Sequence, residues 1–241
     1  MPEFIGFEYP FTGDERLEKI WNQISSLRHD VYAAELQQYE ENPQGELQDP
    51  GKHFIACMDG ETLVGYISLN PPNLQPFRLT KYFSQEALNN TVFGLCTDKE
   101  QSTFEVRGLT ISPKYRGLNL SLRLMRYALE FVVENGGKDI IAMGHNDVLG
   151  LYENNGMNVF RDHGIKHGET VYYPMHMNVE ATLQNFSEKI QQDVKQENDE
   201  DVCYHGGQSW DTSKFDFSVR NSLIVADVLD SPFPPCPEAL E

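Results

Sequence analysis

Apolar residues recur along this chain with two periods. Leu17, Ile20, Trp21, Ile24, Leu27 and Val31 are spaced three or four residues apart and predict one buried face of a helix. Thr12 with Glu15 three residues on predicts a capping box at its start. Leu124, Met125, Ala128, Leu129 and Val132 repeat the pattern in a second long helix, with Arg123, Arg126, Glu130 and Glu134 on its opposite face. Asn135-Gly136-Gly137 ends it with residues that tolerate the left-handed conformation of a helix C-terminus. Shorter apolar and β-branched runs predict strands at Phe4–Tyr9, His53–Met58, Leu63–Leu69 and Phe104–Ile111. Asp59-Gly60 joins the middle two as a hairpin, and Ser112-Pro113 stops the last. Residues 73–103 are mixed, with one helical turn around Tyr82–Leu88 and then a loop long enough to be functional. A strand to Phe160 and a closing strand at Thr170–Val179 follow, and Pro174 inside the latter predicts an edge or a bulge.

Charge narrows the partners. A net charge of −18 argues against nucleic acid or an anionic membrane. It also means that a polyanionic ligand needs a local positive site. Cys57, Cys96, Cys203 and Cys236 form no CxxC pair, which fits reduced thiols better than a disulfide frame or zinc site. His163 and His167 have a metal-like spacing but lack cysteine or carboxylate partners in register, so a hairpin turn is expected and no metal. No apolar run approaches the length of a membrane span, and the N-terminus does not read as a signal peptide, so the expected location is cytoplasmic.

The chemistry concentrates where the strand Phe104–Ile111 hands over to the second helix, at Arg116-Gly117-Leu118-Asn119-Leu120-Ser121. Unpaired N–H groups and the helix dipole favour a phosphate there, Gly117 permits close approach, and Arg116 adds a planar cation. From spacing alone, an ordinary strand-to-helix turn is an equal alternative. The strand, Pro-x-Tyr-Arg-Gly and a long helix together resemble the coenzyme-A-binding motif of the GNAT superfamily of N-acyltransferases. That motif reads Arg/Gln-x-x-Gly-x-Gly/Ala, and here Asn119 and Ser121 stand at its two small positions. A second segment, Tyr152-Glu-Asn-Asn-Gly156-Met157 within residues 138–160, resembles the ending of the family's next strand and short helix.

The resemblance implies an α+β GNAT fold. Its twisted, mixed, mostly antiparallel sheet would be flanked by helices and splayed between strands near 104–111 and 139–145. It implies backbone N–H groups near Leu109, Thr110 and Ile111 that meet the acyl donor, and Tyr152 as the acid that protonates the leaving thiolate, a core tyrosine being the alternative. Glu105 sits where several members keep a base; alternation puts it on one face with Arg107 and Leu109, which fits a structural salt bridge equally well. His145, at the end of the following strand, reads as a buried hydrogen-bonded histidine or as a proton relay. Arg28-His-Asp-Val31-Tyr32-Ala-Ala-Glu35 and Glu46-Leu-Gln-Asp49 resemble a pattern of acyl-homoserine-lactone synthases and N-acyl amino acid synthases. There Arg28, Tyr32 and Glu35 would help bind a small amine. On the residues alone, a solvated helix face is the alternative.

Three regions are expected: an acyltransferase domain over 1–180, an amphipathic and acidic linker helix over 181–201, and an extended arm over 202–241. His205-Gly-Gly207, Phe215-Asp-Phe-Ser218 and the turn-rich Asp227–Pro235 resemble the N-terminal arm of histidinol-phosphate-aminotransferase-like enzymes. Pyridoxal phosphate (PLP) would enter only with a downstream domain; a packed tail is the alternative. The function expected is transfer from acyl-CoA, with acetyl-CoA the first donor to consider, to the amine of a small amino-acid-like molecule in a ternary complex. An acyl-carrier protein is the alternative donor, and a homodimer the expected assembly if one forms. The rival function is a degenerate module that binds acyl-CoA or a carrier protein as the docking or regulatory part of a PLP-enzyme fusion.

Overall fold

Asp14, rather than Thr12, opens the first helix. Its carboxylate accepts from the backbone N–H groups of Arg16 at 2.9 Å and Leu17 at 3.0 Å, so α1 (Glu15–Arg28) begins beside a shorter and charged cap. The computed structural model describes residues 2–35, 52–117, 119–167, 170–185 and 224–225. Ile20, Ile24 and Leu27 of α1 are buried, as their spacing requires, and residues His29–Glu35 continue as a π-helical segment.

The strands are β1 (Glu3–Glu8), β2 (His53–Asp59), β3 (Thr62–Asn70), β4 (Thr103–Ile111), β5 (Asp139–His145), β6 (Asn158–Val159), β7 (Ile165–His167), β8 (Thr170–Asn178) and β9 (Ile224–Val225). They form one sheet in the order β6-β8-β5-β4-β3-β2-β1-β9, with β7 also on β8. Every pairing is antiparallel except β4 with β5. That pair is parallel because α4 (Leu120–Glu134) returns the chain between them. The expected mixed, mostly antiparallel α+β architecture is what the chain adopts.

The two faces of the sheet are covered differently. On one, Leu120, Leu124, Ala128 and Val132 of α4 pack over Ile67, Phe104 and Ile140. On the other, α1 covers Phe54, Ala56 and Tyr66. Beside α1, residues 71–102 make an insert with its own core of Phe77, Leu79, Phe83, Leu88 and Val92, seated on Ile141. The insert contains a 3-10 turn (Arg78–Lys81), α2 (Gln85–Asn89) and α3 (Val92–Leu95), more structure than the single turn expected. A further short helix, α5 (Leu149–Glu153), follows β5.

Two buried carboxylates tie this insert to the sheet. Glu105 of β4 accepts from the backbone N–H groups of Arg78 at 2.9 Å and Leu79 at 2.8 Å. Asp139 of β5 accepts from Thr97 N at 2.7 Å and lies 2.9 Å from His176 Nε2. Pro174 sits neither at an edge nor in a bulge: β8 runs between β5 on one side and β6 and β7 on the other. Proline fits because Phe160 N–H uses only its carbonyl, at 3.1 Å. The arm expected over 202–241 lies outside the described residues except for Ile224 and Val225, which pair with Ile5 and Phe4 of β1. Most of the linker expected over 181–201 lies outside them as well. Among the described residues, no helix is long and apolar enough to cross a membrane.

Leu124, on the buried face of α4, is completely buried while Leu122 is 37% exposed. Leu124→Ala should therefore cost about 2–5 kcal/mol through lost burial and a residual cavity, and Leu122→Ala within about 0.5 kcal/mol. Denaturant midpoints of the two variants, converted with a common slope, check this contrast.

Candidate functional site

The site begins where two strands part. β4 and β5 pair only at Thr103–Asp139, Phe104–Ile140 and Glu105–Ile141. Beyond that rung β4 keeps its ladder to β3, but the register slips: Ser68 faces Arg107 while Tyr66 faces Thr110. Gly108 takes up the extra residue with φ +59, a conformation that favours glycine. The bulge breaks the alternation. Glu105, Arg107 and Thr110 share the face of Asn70, Ser68 and Tyr66, whereas Val106, Leu109 and Ile111 turn to the α4 side. The expectation that Leu109 shares a face with Glu105 is thus corrected by one inserted residue. The backbone of Leu109, Thr110 and Ile111 runs along the parted side of β4.

At the end of β4, a 3-10 turn (Pro113–Tyr115) leads into the helix. Ser112 N–H donates to Val64 O at 2.9 Å, and the Tyr115 hydroxyl donates to Asp59 Oδ2 at 3.0 Å, which fixes the turn to the β2–β3 hairpin. Arg116 is exposed, its Nε 3.4 Å from Ile111 O. Gly117 has φ +86 with open space where a side chain would stand. Asn119, the residue before α4, has φ +58 and makes no side-chain cap bond. Asn119 thus supplies the left-handed turn that glycine supplies elsewhere. Leu120 and Ser121 begin a helix that receives no side-chain cap from Asn119, and first-turn amides of this kind accommodate an anion. Leu118 lies outside the described residues.

Tyr152 lies across the parted strands, on α5. Its ring packs flat enough on β5 that a Cβ at Gly144 would come 3.0 Å from Tyr152 Cε2. The turn that follows needs Gly156, with φ +89, because a Cβ there would meet Thr182 Cγ2 at 2.7 Å. Burial pushes the Tyr152 hydroxyl above the usual tyrosine range, and the neighbouring Tyr32 pushes the same way, so it stays protonated at working pH. Tyr32 comes from the π-helical segment, and its hydroxyl lies 3.5 Å from Thr110 Oγ1. Arg28 closes α1 with its guanidinium 5.2 Å from the centre of the Tyr32 ring and Nη1 3.4 Å from Tyr66 Oη. The fold therefore gathers Arg28, Tyr32, Thr110 and Tyr152 around the fork. Glu35 ends the π-helical segment, and Glu46 and Asp49 lie outside the described residues.

Two candidates take other places. Glu105 is fully buried, and besides the two insert amides it accepts from Asn70 Nδ2 at 2.9 Å. Burial raises its pKa, while Arg107, the two amides and Asn70 oppose the shift. With both oxygens accepting amides of the insert, Glu105 serves there as an anchor of residues 78 and 79. His145 follows Gly144, so alternation turns it to the opposite face of β5 from the Tyr152 ring. There it lies edge-on to Tyr172, with centroids 6.0 Å apart, and its Nδ1 is 3.7 Å from Asp147 Oδ2. Sequence reasoning missed Asn70 as a partner of Glu105, because Asn70-Pro71 signals only a strand end. It also missed the bulge at Gly108, for which the glycine inside an apolar strand was the available signal.

Residues 16–157 match the model of the Acetyltransferase (GNAT) family. No curated protein matches the chain in sequence. Among solved structures, the chain is similar to FeeM, an N-acyl amino acid synthase from uncultured soil microbes, at 13% identity over 76% of this chain and 94% of that one, with a TM-score of 0.54. It is similar to BjaI, a CoA-dependent acyl-homoserine lactone synthase determined with SAM and isopentyl-CoA, at 14% identity over 78% and 89%, with a TM-score of 0.52. It is also similar to an acyl-CoA N-acyltransferase from Pseudomonas aeruginosa, at 13% identity over 73% and 99%, with a TM-score of 0.53. At such identities the likeness is one of fold.

The cysteines bear on whether a covalent intermediate is available. Burial pushes the Cys57 thiol up to about 12 and the Cys96 thiol up to about 11. A raised thiol pKa keeps the unreactive form: at pH 8 about one Cys57 in ten thousand would be thiolate. Iodoacetamide at pH 8, followed by peptide mapping, should leave Cys57 and Cys96 unmodified in the native protein and label both after denaturation.

Proposed function

The chain belongs to the GNAT family of acetyltransferases, and we propose on that premise that it is an acyl-CoA-dependent N-acyltransferase. Its acceptor would be the amine of a small, amino-acid-like molecule, attacking the thioester directly in a ternary complex. The observation that carries this reading is the fork itself. The parted side of β4 faces a half-buried Tyr152 across the gap, its hydroxyl held protonated, and the strand runs on to a helix N-terminus without a side-chain cap from Asn119, behind Gly117.

The roles follow from the placement. The amides at the start of α4, with Arg116, would take the pyrophosphate of the donor. Backbone N–H groups along Leu109–Ile111 would meet the donor and the oxygen that gains charge in the tetrahedral intermediate. Tyr152 would hand its proton to the departing thiolate. Tyr32 and Thr110 would line the acceptor side with Arg28. We assign no side chain the role of base: the neutral fraction of the amine is the nucleophile, and Glu105 acts by holding the insert. The raised thiol pKa values of Cys57 and Cys96, the two cysteines among the described residues, support direct attack over a covalent intermediate. The left-handed Asn119 supports a working phosphate turn over the rival of a degenerate docking module. A cytoplasmic setting and a fused PLP enzyme remain part of this proposal only as expectations from the sequence.

A thermal-shift series with coenzyme A, acetyl-CoA and longer acyl-CoAs tests the donor site. A donor at about a hundred times its Kd should stabilise the native state by roughly 2.7 kcal/mol, and Arg116→Ala should shrink the shift; no shift with any donor would sink the reading. Turnover tests the acid: Tyr152→Phe should lower kcat by about a hundredfold or more while the donor KM moves far less. The pH dependence has a definite sign. Tyr152 is needed protonated and its pKa is raised, so kcat/KM should climb through the pKa of the amine and show no descending limb before about pH 10. A limb falling through neutral pH would point to a different acid.

A further inference from the structure

The fork has two unlike flanks on the face that carries Glu105. Towards α1 stand Arg28, Tyr32 and the Thr110 hydroxyl, all polar. Towards the insert the lining is apolar. Alternation along β5 places Met143 on the face of Ile141, two residues past the last β4–β5 rung at Glu105–Ile141. Met143 is half-buried and packs against the insert's core, as do Phe93, Phe160 and Ile165.

Behind Met143 the fork closes. Glu105, Ile141, Phe77 and Leu79 are buried at its base, and the Leu79 N–H donates to Glu105 at 2.8 Å. On the α4 side, the next residues past the rung are Val106 and Ala142, which belong to the core beneath that helix. Protein interiors are packed nearly as densely as organic crystals, so extra methylenes pushed into one must displace side chains. A chain entering the gap from the strand tips therefore meets Met143 before a closed base.

A donor with its pyrophosphate at the start of α4 enters from those tips, and the carbons beyond its thioester lead towards the base. We propose that Met143 is the ruler of the donor, the side chain that sets the greatest length of acyl group the site accepts. This deepens the acyltransferase reading and rests on it for the position of the thioester. A hydrocarbon tail gains by leaving water on the insert flank, whereas beside Arg28 and Thr110 it would desolvate polar groups. Methionine is unbranched and flexible, so Met143 can yield to a short acyl group, while the close-packed residues behind it resist a longer one. Tail and acceptor amine then take opposite flanks, with the carbonyl between them.

The test measures Kd by calorimetry on the full chain with coenzyme A and its acetyl, butyryl, hexanoyl and octanoyl thioesters, no acceptor being present. Wild type should bind octanoyl-CoA about tenfold more weakly than butyryl-CoA. Met143→Ala should bring octanoyl-CoA level with butyryl-CoA, and Met143→Phe should weaken butyryl-CoA about tenfold. Free coenzyme A, which has no tail, should bind all three proteins within about twofold, and this shows that the variants keep their fold and the phosphate turn.

Octanoyl-CoA bound by wild type as tightly as butyryl-CoA would overturn the proposal. So would an unchanged order of chain lengths in Met143→Ala with coenzyme A still bound. Where Met143→Ala loses coenzyme A itself, Met143→Phe decides, and an unmoved butyryl-CoA affinity there overturns the ruler. No binding of coenzyme A or any thioester by wild type marks failure of the acyltransferase reading. Binding of coenzyme A with no dependence on Met143 marks failure of the ruler alone.

Discussion

A strand inside a sheet has hydrogen-bonding groups on both edges, and β4 loses its β5 neighbour after Glu105. Everything distinctive about the site follows from that loss. A buried backbone edge without a partner is costly, so such an edge persists where a ligand or water can meet it. The bulge at Gly108 then decides which side chains stand beside it. Val106, Leu109 and Ile111 pack towards α4 and its apolar core, and Glu105, Arg107 and Thr110 face the polar side with Tyr66 and Ser68. One extra residue thus separates a greasy wall from a charged one along a single strand.

Buried acids organise the charged wall. Glu105 and Asp139 come from neighbouring strands and point to the same face, where each accepts backbone N–H groups from residues 71–102. These bonds satisfy amides that the insert's short helices and turns cannot pair internally. Charge-assisted bonds of this kind are among the stronger ones available in a protein interior. They explain why a segment with few regular elements still builds a core of Phe77, Leu79, Phe83, Leu88 and Val92 against Ile141.

The sequence announces those features that depend on local patterning. The faces of α1 and α4, the hairpin at Asp59-Gly60 and the stop at Ser112-Pro113 all follow from spacing and turn chemistry, and the structure has them. The turn at Tyr152–Met157 is legible for a similar reason, since Gly156 must clear Thr182. Other features depend on what comes near from elsewhere in the chain. Glu105 reads as a plausible base until the amides of residues 78 and 79 arrive at its oxygens. His145 reads as a buried hydrogen-bonded histidine or a relay, and its actual neighbour, Tyr172, is brought beside it by the pairing of β5 with β8. Asp14 outcompetes Thr12 because the helix starts one residue after it, a boundary that periodicity alone leaves loose.

The position of the two anchoring carboxylates has a mechanical consequence. Glu105 and Asp139 both lie on the short stretch where β4 and β5 still run together, at the fulcrum of the fork rather than at its tips. The insert is therefore clamped to the joined part of the fork, away from its parted ends. The gap is bounded by β4 and β5 themselves, while the insert bears on their shared base.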